Sequence, residues 1–248
     1  MDYLSKIITD IEVLSAEGLK DCFMNGIDPN MQHRNNPLIY ELVSGYARGP
    51  GFSKCVKVFT EHGLKFNDPA LLAVLLNDAN MLEDELAHHP AVVQKTYTID
   101  CAFTQLHEAS LLHICAEFNH LDCAVVLVNH GIHVNNTSGV DGHGFGMQTP
   151  IFHTVNQHNQ VCNDMMYFLA ENGADLTCTV KGLIWGKGYP WETFIPAINP
   201  ISYALMGLLP QFHRRESHVF ENISYLLKKA YQIDYRHPNI PNKYLSND

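Results

Sequence analysis

The sequence predicts an all-α solenoid of stacked antiparallel helix pairs with projecting hairpin loops, two of them extended. Three observations carry this. Four stretches end an apolar, helix-like run in the same way: Asn25-Gly26-Ile27-Asp28-Pro29-Asn30, His62-Gly63-Leu64-Lys65-Phe66-Asn67, His130-Gly131-Ile132-His133-Val134-Asn135 and Asn172-Gly173-Ala174-Asp175-Leu176-Thr177. Each puts a glycine where a left-handed residue closes the carbonyl end of a helix. The glycines lie 37, 68 and 42 residues apart, and 68 is close to two periods of about 34, an interval typical of stacked repeats. Helix-opening signals stand upstream: Asn36-Pro37-Leu38, Asp68-Pro69-Ala70, Ser110-Leu111-Leu112, Thr149-Pro150-Ile151 and Asn199-Pro200-Ile201. Asn, Asp, Ser and Thr cap amide ends, and proline at the first helical position sacrifices no bonded N–H.

The units follow in order within one domain, 1–232. Residues 1–35 form an amino-terminal cap, 36–67 a regular unit, and 68–107 a divergent one. The second helix of that third unit is expected near 82–93, where His88-His89-Pro90 stands and no glycine cap follows. Residues 108–147 and 148–198 complete the interior, the latter with a long insertion, and 199–232 is the carboxy-terminal cap; 233–248 is a tail. Apolar stripes at helical spacing assign Leu121, Val125, Val126 and Val128, then Met165, Phe168 and Leu169, then Ile223, Leu226 and Leu227 to the core. Lys228-Lys229 suits the end of a final helix, where the dipole favours cations.

Composition limits the function. At 46% hydrophobic and 17% charged residues the chain is apolar enough to fold. Net charge is −10 and Lys and Arg are not clustered, which speaks against nucleic acid as a partner. Seven cysteines lie mostly inside apolar runs and read as small buried hydrophobes in a reducing compartment. The first residues, Met1-Asp2-Tyr3-Leu4-Ser5-Lys6, lack the basic and apolar regions of a secretory signal, and no apolar run approaches the ~18 residues a membrane helix needs. A cytoplasmic location without membrane association is expected.

Thr149-Pro150-Ile151-Phe152-His153-Thr154-Val155 resembles a variant of the Thr-Pro-Leu-His-x-Ala-Ala opening of the ankyrin repeat family, and Ser110-Leu111-Leu112-His113-Ile114-Cys115-Ala116 keeps its histidine. Met166-Tyr167-Phe168-Leu169-Ala170-Glu171-Asn172-Gly173-Ala174-Asp175 resembles the family's second-helix ending. The resemblance covers residues 4 to 232 as about six units. It implies a rigid, non-catalytic scaffold for protein–protein interaction, with His113 and His153 in intra-repeat hydrogen bonds. Trp185-Gly186-Lys187-Gly188 and the run from Pro200 to Arg215 resemble a subset of bacterial ankyrin-repeat proteins without an established reaction.

The period breaks at 178–198, which holds both tryptophans, Trp185 and Trp191. The preceding connection, 136–148, is also long and glycine-rich. Successive hairpins project along one edge, so the two loops should be neighbours. Large, rigid aromatic side chains anchor interfaces; the expected partner-binding residues are Phe145, Trp185, Tyr189 and Trp191, with His143 and Lys187 as polar contacts to an unidentified protein. Three readings compete with this one: one is a purely structural subunit that self-associates through its acidic, repeat-bearing surface, and the other two concern the loops. The aromatics fold back to cover the stack, or the chain is an enzyme or small-ligand binder with a pocket between loops 136–148 and 178–198, using His143, Lys187 and Glu192. A monomer or weak homo-oligomer is expected.

No catalytic residue, metal site or cofactor is predicted. Of fifteen histidines, eight lie between His107 and His158, but His113 and Cys115 face different sides of one helix and adjacent His88-His89 is poorly spaced for chelation. No Gly-x-Ser-x-Gly elbow or phosphate loop occurs. His130 is expected to bond a neighbouring hairpin's backbone. His213-Arg214-Arg215 is expected to be a solvated basic turn.

Overall fold

The computed structural model describes residues 2–45, 47–101, 105–157, 161–206 and 214–235. Helix pairs alternate with hairpin junctions along the chain. The pairs are α1 (Tyr3–Glu12) with α2 (Ala16–Met24), α3 (Ile39–Ser44) with α4 (Gly51–Glu61), α5 (Pro69–Leu76) with α6 (Ala79–His88), and α7 (Leu111–Phe118) with α8 (Leu121–Asn129). A 3₁₀ turn at Pro150–His153 precedes α9 (Asn163–Glu171), and α10 (Pro200–Leu205) pairs with α11 (Glu216–Tyr231). Each pair packs on the next through one continuous apolar core. No helix among the described residues is long and apolar enough to cross a membrane.

The four glycine-capped ends share one geometry. Gly26, Gly63, Gly131 and Gly173 have φ of 97°, 89°, 84° and 91°. The following residue's N–H reaches back five positions in every case: Ile27 to the Cys22 carbonyl at 3.2 Å, and Leu64 to Phe59, Ile132 to Leu127 and Ala174 to Leu169 at 3.0 Å. This is the Schellman closure, which satisfies carbonyls that the helix leaves open. Two of these loops are also clamped to the next. The Asn30 amide donates to the Gly63 carbonyl at 3.0 Å and accepts from the Lys65 N–H at 2.7 Å; Asn135 repeats both bonds with Gly173 (2.9 Å) and Asp175 (2.7 Å).

The all-α expectation is wrong. About half the residues are helical and about 12% form strands, in three two-stranded antiparallel sheets: β1 (Gln32–His33) with β2 (Asn36–Pro37), β3 (Thr96–Ile99) with β4 (Leu106–Ser110), and β5 (Val180–Trp185) with β6 (Thr193–Ile198). Projecting backbone must still place its N–H and C=O groups, and β3, β5 and β6 carry β-branched and aromatic residues that pair well across strands. Several expected helix starts shift for related reasons. Asn36-Pro37 joins β2, so α3 begins at Ile39 without a side-chain cap. Pro150 opens only a 3₁₀ turn, where the Thr154 hydroxyl donates to the Ile151 carbonyl at 2.8 Å; β-branched side chains and local hydroxyl bonds both work against extending a helix. Asp68 does cap α5, accepting from the Leu71 N–H at 3.0 Å. The helix expected near 82–93 stops at His88, followed by a 3₁₀ turn from Pro90.

Within α8 the fully buried residues are Cys123, Ala124 and Leu127; of the expected stripe, Leu121, Val126 and Val128 are half-buried against the core and Val125 is exposed. Met165, Leu169, Ile223 and Leu226 are buried as expected. All seven cysteines are unpaired, and all but Cys178 are buried. Desolvation raises the Cys101 thiol to about 12 and Cys55 to about 11.

Polar groups thread the core. The Arg48 Nε donates to Glu117 Oε1 at 3.0 Å, and His153 Nδ1 bonds Glu117 Oε2 at 2.9 Å. All three side chains are at most 2% exposed. The guanidinium also donates to the Gly45 and Ala47 carbonyls and lies 4.5 Å from the centre of the Phe118 ring. His113 accepts from the Ser110 N–H at 3.1 Å through Nδ1 and reaches the Gln148 carbonyl at 3.0 Å through Nε2. It therefore joins two units as well as bonding within its own. Arg214 is not in a solvated turn: it is 9% exposed and donates to Asn156 and to the carbonyls of Val155, Ala204 and Met206. Burial pulls its guanidinium down to about 10. His213 lies outside the described residues.

Candidate interaction surface

The two long loops meet. Residues 136–148 form a tight turn organised by Asp141, whose carboxylate accepts from the N–H groups of His143 at 2.9 Å and Phe145 at 3.0 Å. Val140 and Gly146 bridge across the loop. Gly146 has φ of 138°, and a side chain there would run into the Gly139 carbonyl. Burial acts to raise the Asp141 carboxyl, but the two backbone bonds and nearby Lys187 outweigh it and hold it below the usual carboxylate range.

Strands β5 and β6 carry the second loop as a regular hairpin with Val180 opposite Ile198 and Trp185 opposite Thr193. Its tip is closed by Glu192, whose carboxylate accepts the Gly188 N–H at 2.7 Å. Trp185 and Trp191 meet edge to face at 4.9 Å between centroids, and Tyr189 stacks on Trp191 at 4.8 Å. Gly186 has φ of 66° and lies against the Trp191 ring, leaving no room for a side chain. Tyr189, Trp191 and Phe194 are 40%, 38% and 50% exposed, a large aromatic surface to leave in water.

Phe145 packs on Phe194 at 4.7 Å, and the Lys187 ammonium is 3.9 Å from the Asp141 carboxylate. The contact extends to a third junction, where the Gly139 N–H donates to the His107 carbonyl of β4 at 2.7 Å. Of the six expected partner-binding residues, Trp185, Tyr189 and Trp191 form one cluster, Phe145 and Lys187 join the two loops, and His143 projects exposed beside Phe145. Phe194 lies in the same break in the period but was not among the six, and Asp141 was missed as a contributor; the Asp141-Gly142 pair was the turn signal.

Between the loops and β4 lies a cavity of about 100 Å³ lined by Asp100, Gln105, His107, Phe145 and Lys187. This is below the ~300–1,000 Å³ of typical small-molecule sites. Of the residues named for a ligand pocket, only Lys187 lines it. The Glu192 carboxylate is engaged by the hairpin tip, and His143 is exposed. His130, expected against backbone, instead bonds Glu83 at 2.8 Å.

No protein-family model matches the sequence, and no curated protein matches it. Among solved structures, the chain is similar to the crystal structure of an ankyrin repeat protein at 17% identity, covering 90% of this chain and 96% of that one, with a TM-score of 0.38. A likeness this distant carries no argument about function.

Proposed function

We propose that this protein is a non-catalytic, cytoplasmic interaction module that captures a protein partner on the aromatic tips of its last two hairpins. The observation behind this is the combination of exposure and fixed geometry: Tyr189, Trp191 and Phe194 face solvent while ring stacking and the Glu192 bond hold them in place. Preordered aromatics bind with little entropic cost, the feature that makes Trp and Tyr interface anchors. The unpaired thiols suit a reducing compartment.

The test is Trp185→Ala with Trp191→Ala, or trimming the chain between Lys181 and Phe194, followed by affinity capture from native lysate. Partner capture is lost while the melting temperature stays within about 3 °C of wild type, since a tip contributes ~1 kcal/mol or less to a chain this long. A large drop in melting temperature with the partner retained would instead assign the tryptophans to packing.

A further inference from the structure

The row of hairpins has a gap. The first, third and last junctions carry two-stranded hairpins and the fourth carries the Asp141 turn, but the second, between α4 and α5, is only the short connection 62–68. In its place lies a concavity of about 670 Å³. It is lined by Gln32 and Pro37 of the first hairpin, by Thr96, Tyr97 and Thr98 of β3, and by Tyr40, Leu64 and Phe66.

Two properties define what fits. The first is an open strand edge. Among the described residues β3 pairs only with β4; the far side of β4 is already bonded to the next junction through Gly139 and His107, whereas Thr96, Tyr97 and Thr98 of β3 line the gap. An unpaired edge is a template for another strand. The second property is charge. The charged residues of the concavity are Lys65, Lys95 and Asp68. Asp68 is held by Lys95 and by the Tyr97 hydroxyl at 3.4 Å, so the groove has one net positive charge, at exposed Lys65, in a chain of net charge −10.

We propose that this vacancy is a docking groove for an extended, acidic segment of a partner protein, which adds as a strand to the open edge of β3 and places a carboxylate near Lys65. Four-residue β3 accommodates about four partner residues, roughly 13 Å of strand. Alternate side chains of the segment would meet Leu64 and Phe66. The surface is separate from the aromatic tips, so the two proposals stand or fall independently.

Random hexapeptides displayed on phage are selected against the whole protein, and selected sequences are synthesised with a fluorescent label. Peptides enriched at least about threefold in Asp and Glu are expected. Their binding, read by fluorescence anisotropy, should fall tenfold or more for Lys65→Glu and be unchanged for Trp191→Ala. Methylating alternate peptide nitrogens, which removes the strand-pairing donors, should abolish binding on one of the two alternations. Recovery of no peptide, selection of neutral or basic sequences, dependence on Trp191 instead of Lys65, or indifference to methylation on both alternations would each overturn the proposal. Circular dichroism of the Lys65→Glu protein confirms that lost binding is not lost folding.

Discussion

Replacing Glu117 by alanine should be among the most damaging single changes in this chain. The carboxylate is fully buried and is shared by Arg48 at 3.0 Å and His153 at 2.9 Å. Its loss strands an arginine side chain that is 2% exposed and keeps, among the described residues, the Gly45 and Ala47 carbonyls, the Cys101 sulfur and the Phe118 face for company. Removing one member of a buried ion pair costs about 3–5 kcal/mol, because the other charge is left desolvated. At roughly 2–4 °C per kcal/mol for a chain this long, the melting temperature falls by about 6–20 °C. The double variant Glu117→Ala with Arg48→Met removes the stranded cation and should recover part of that loss. Urea unfolding followed by circular dichroism, run as a double-mutant cycle, measures both quantities. A Glu117→Ala protein within 1 kcal/mol of wild type, or strictly additive single losses, would refute the reasoning.

Three further outcomes follow from the same geometry. Burial, aided by the neighbouring His153, holds His113 near 3, and burial holds His120 near 4, both below the ordinary 6.5. The unfolded chain therefore binds more protons between about pH 4 and 6.5, and stability falls as pH drops through that window by about 1.4 kcal/mol per unit for each histidine; urea midpoints that do not change from pH 7 to 5 would contradict this. Ellman's reagent should titrate Cys178 first in the native protein and the six buried thiols only after denaturation; fast reaction of several thiols would count against the buried assignments. Gly186→Ala, at φ of 66° and against Trp191, should disperse the aromatic cluster, seen as a weakened near-ultraviolet dichroism of tryptophan and reduced partner capture, and an unaltered spectrum would show the cluster does not depend on that turn.

What could be read in the chain was local. A glycine after an apolar run dictates a left-handed closure whatever surrounds it, and all four such closures have one geometry. The aromatic hairpin announced itself because both tryptophans fall inside a break in the period. The strands were less visible: Thr96-Tyr97-Thr98-Ile99 alternates exposed and buried, but four residues are too few for periodicity to separate strand from loop. Asn36-Pro37 carried a helix-opening signal that cross-strand pairing with Gln32 and His33 overrode. Arg48 and Arg214 were illegible, since their partners lie 69 and up to 59 residues away and nothing in the neighbouring sequence marks an arginine as buried.

Arg48 belongs to the second helix pair and Glu117 to the fourth, so their bond passes over the third. An array joined only through adjacent members can fray from either end one member at a time, its total stability being a sum of local terms. A tether that skips a member removes that freedom: the third pair cannot detach while the second and fourth remain fastened. The middle of this molecule should therefore melt in a single step.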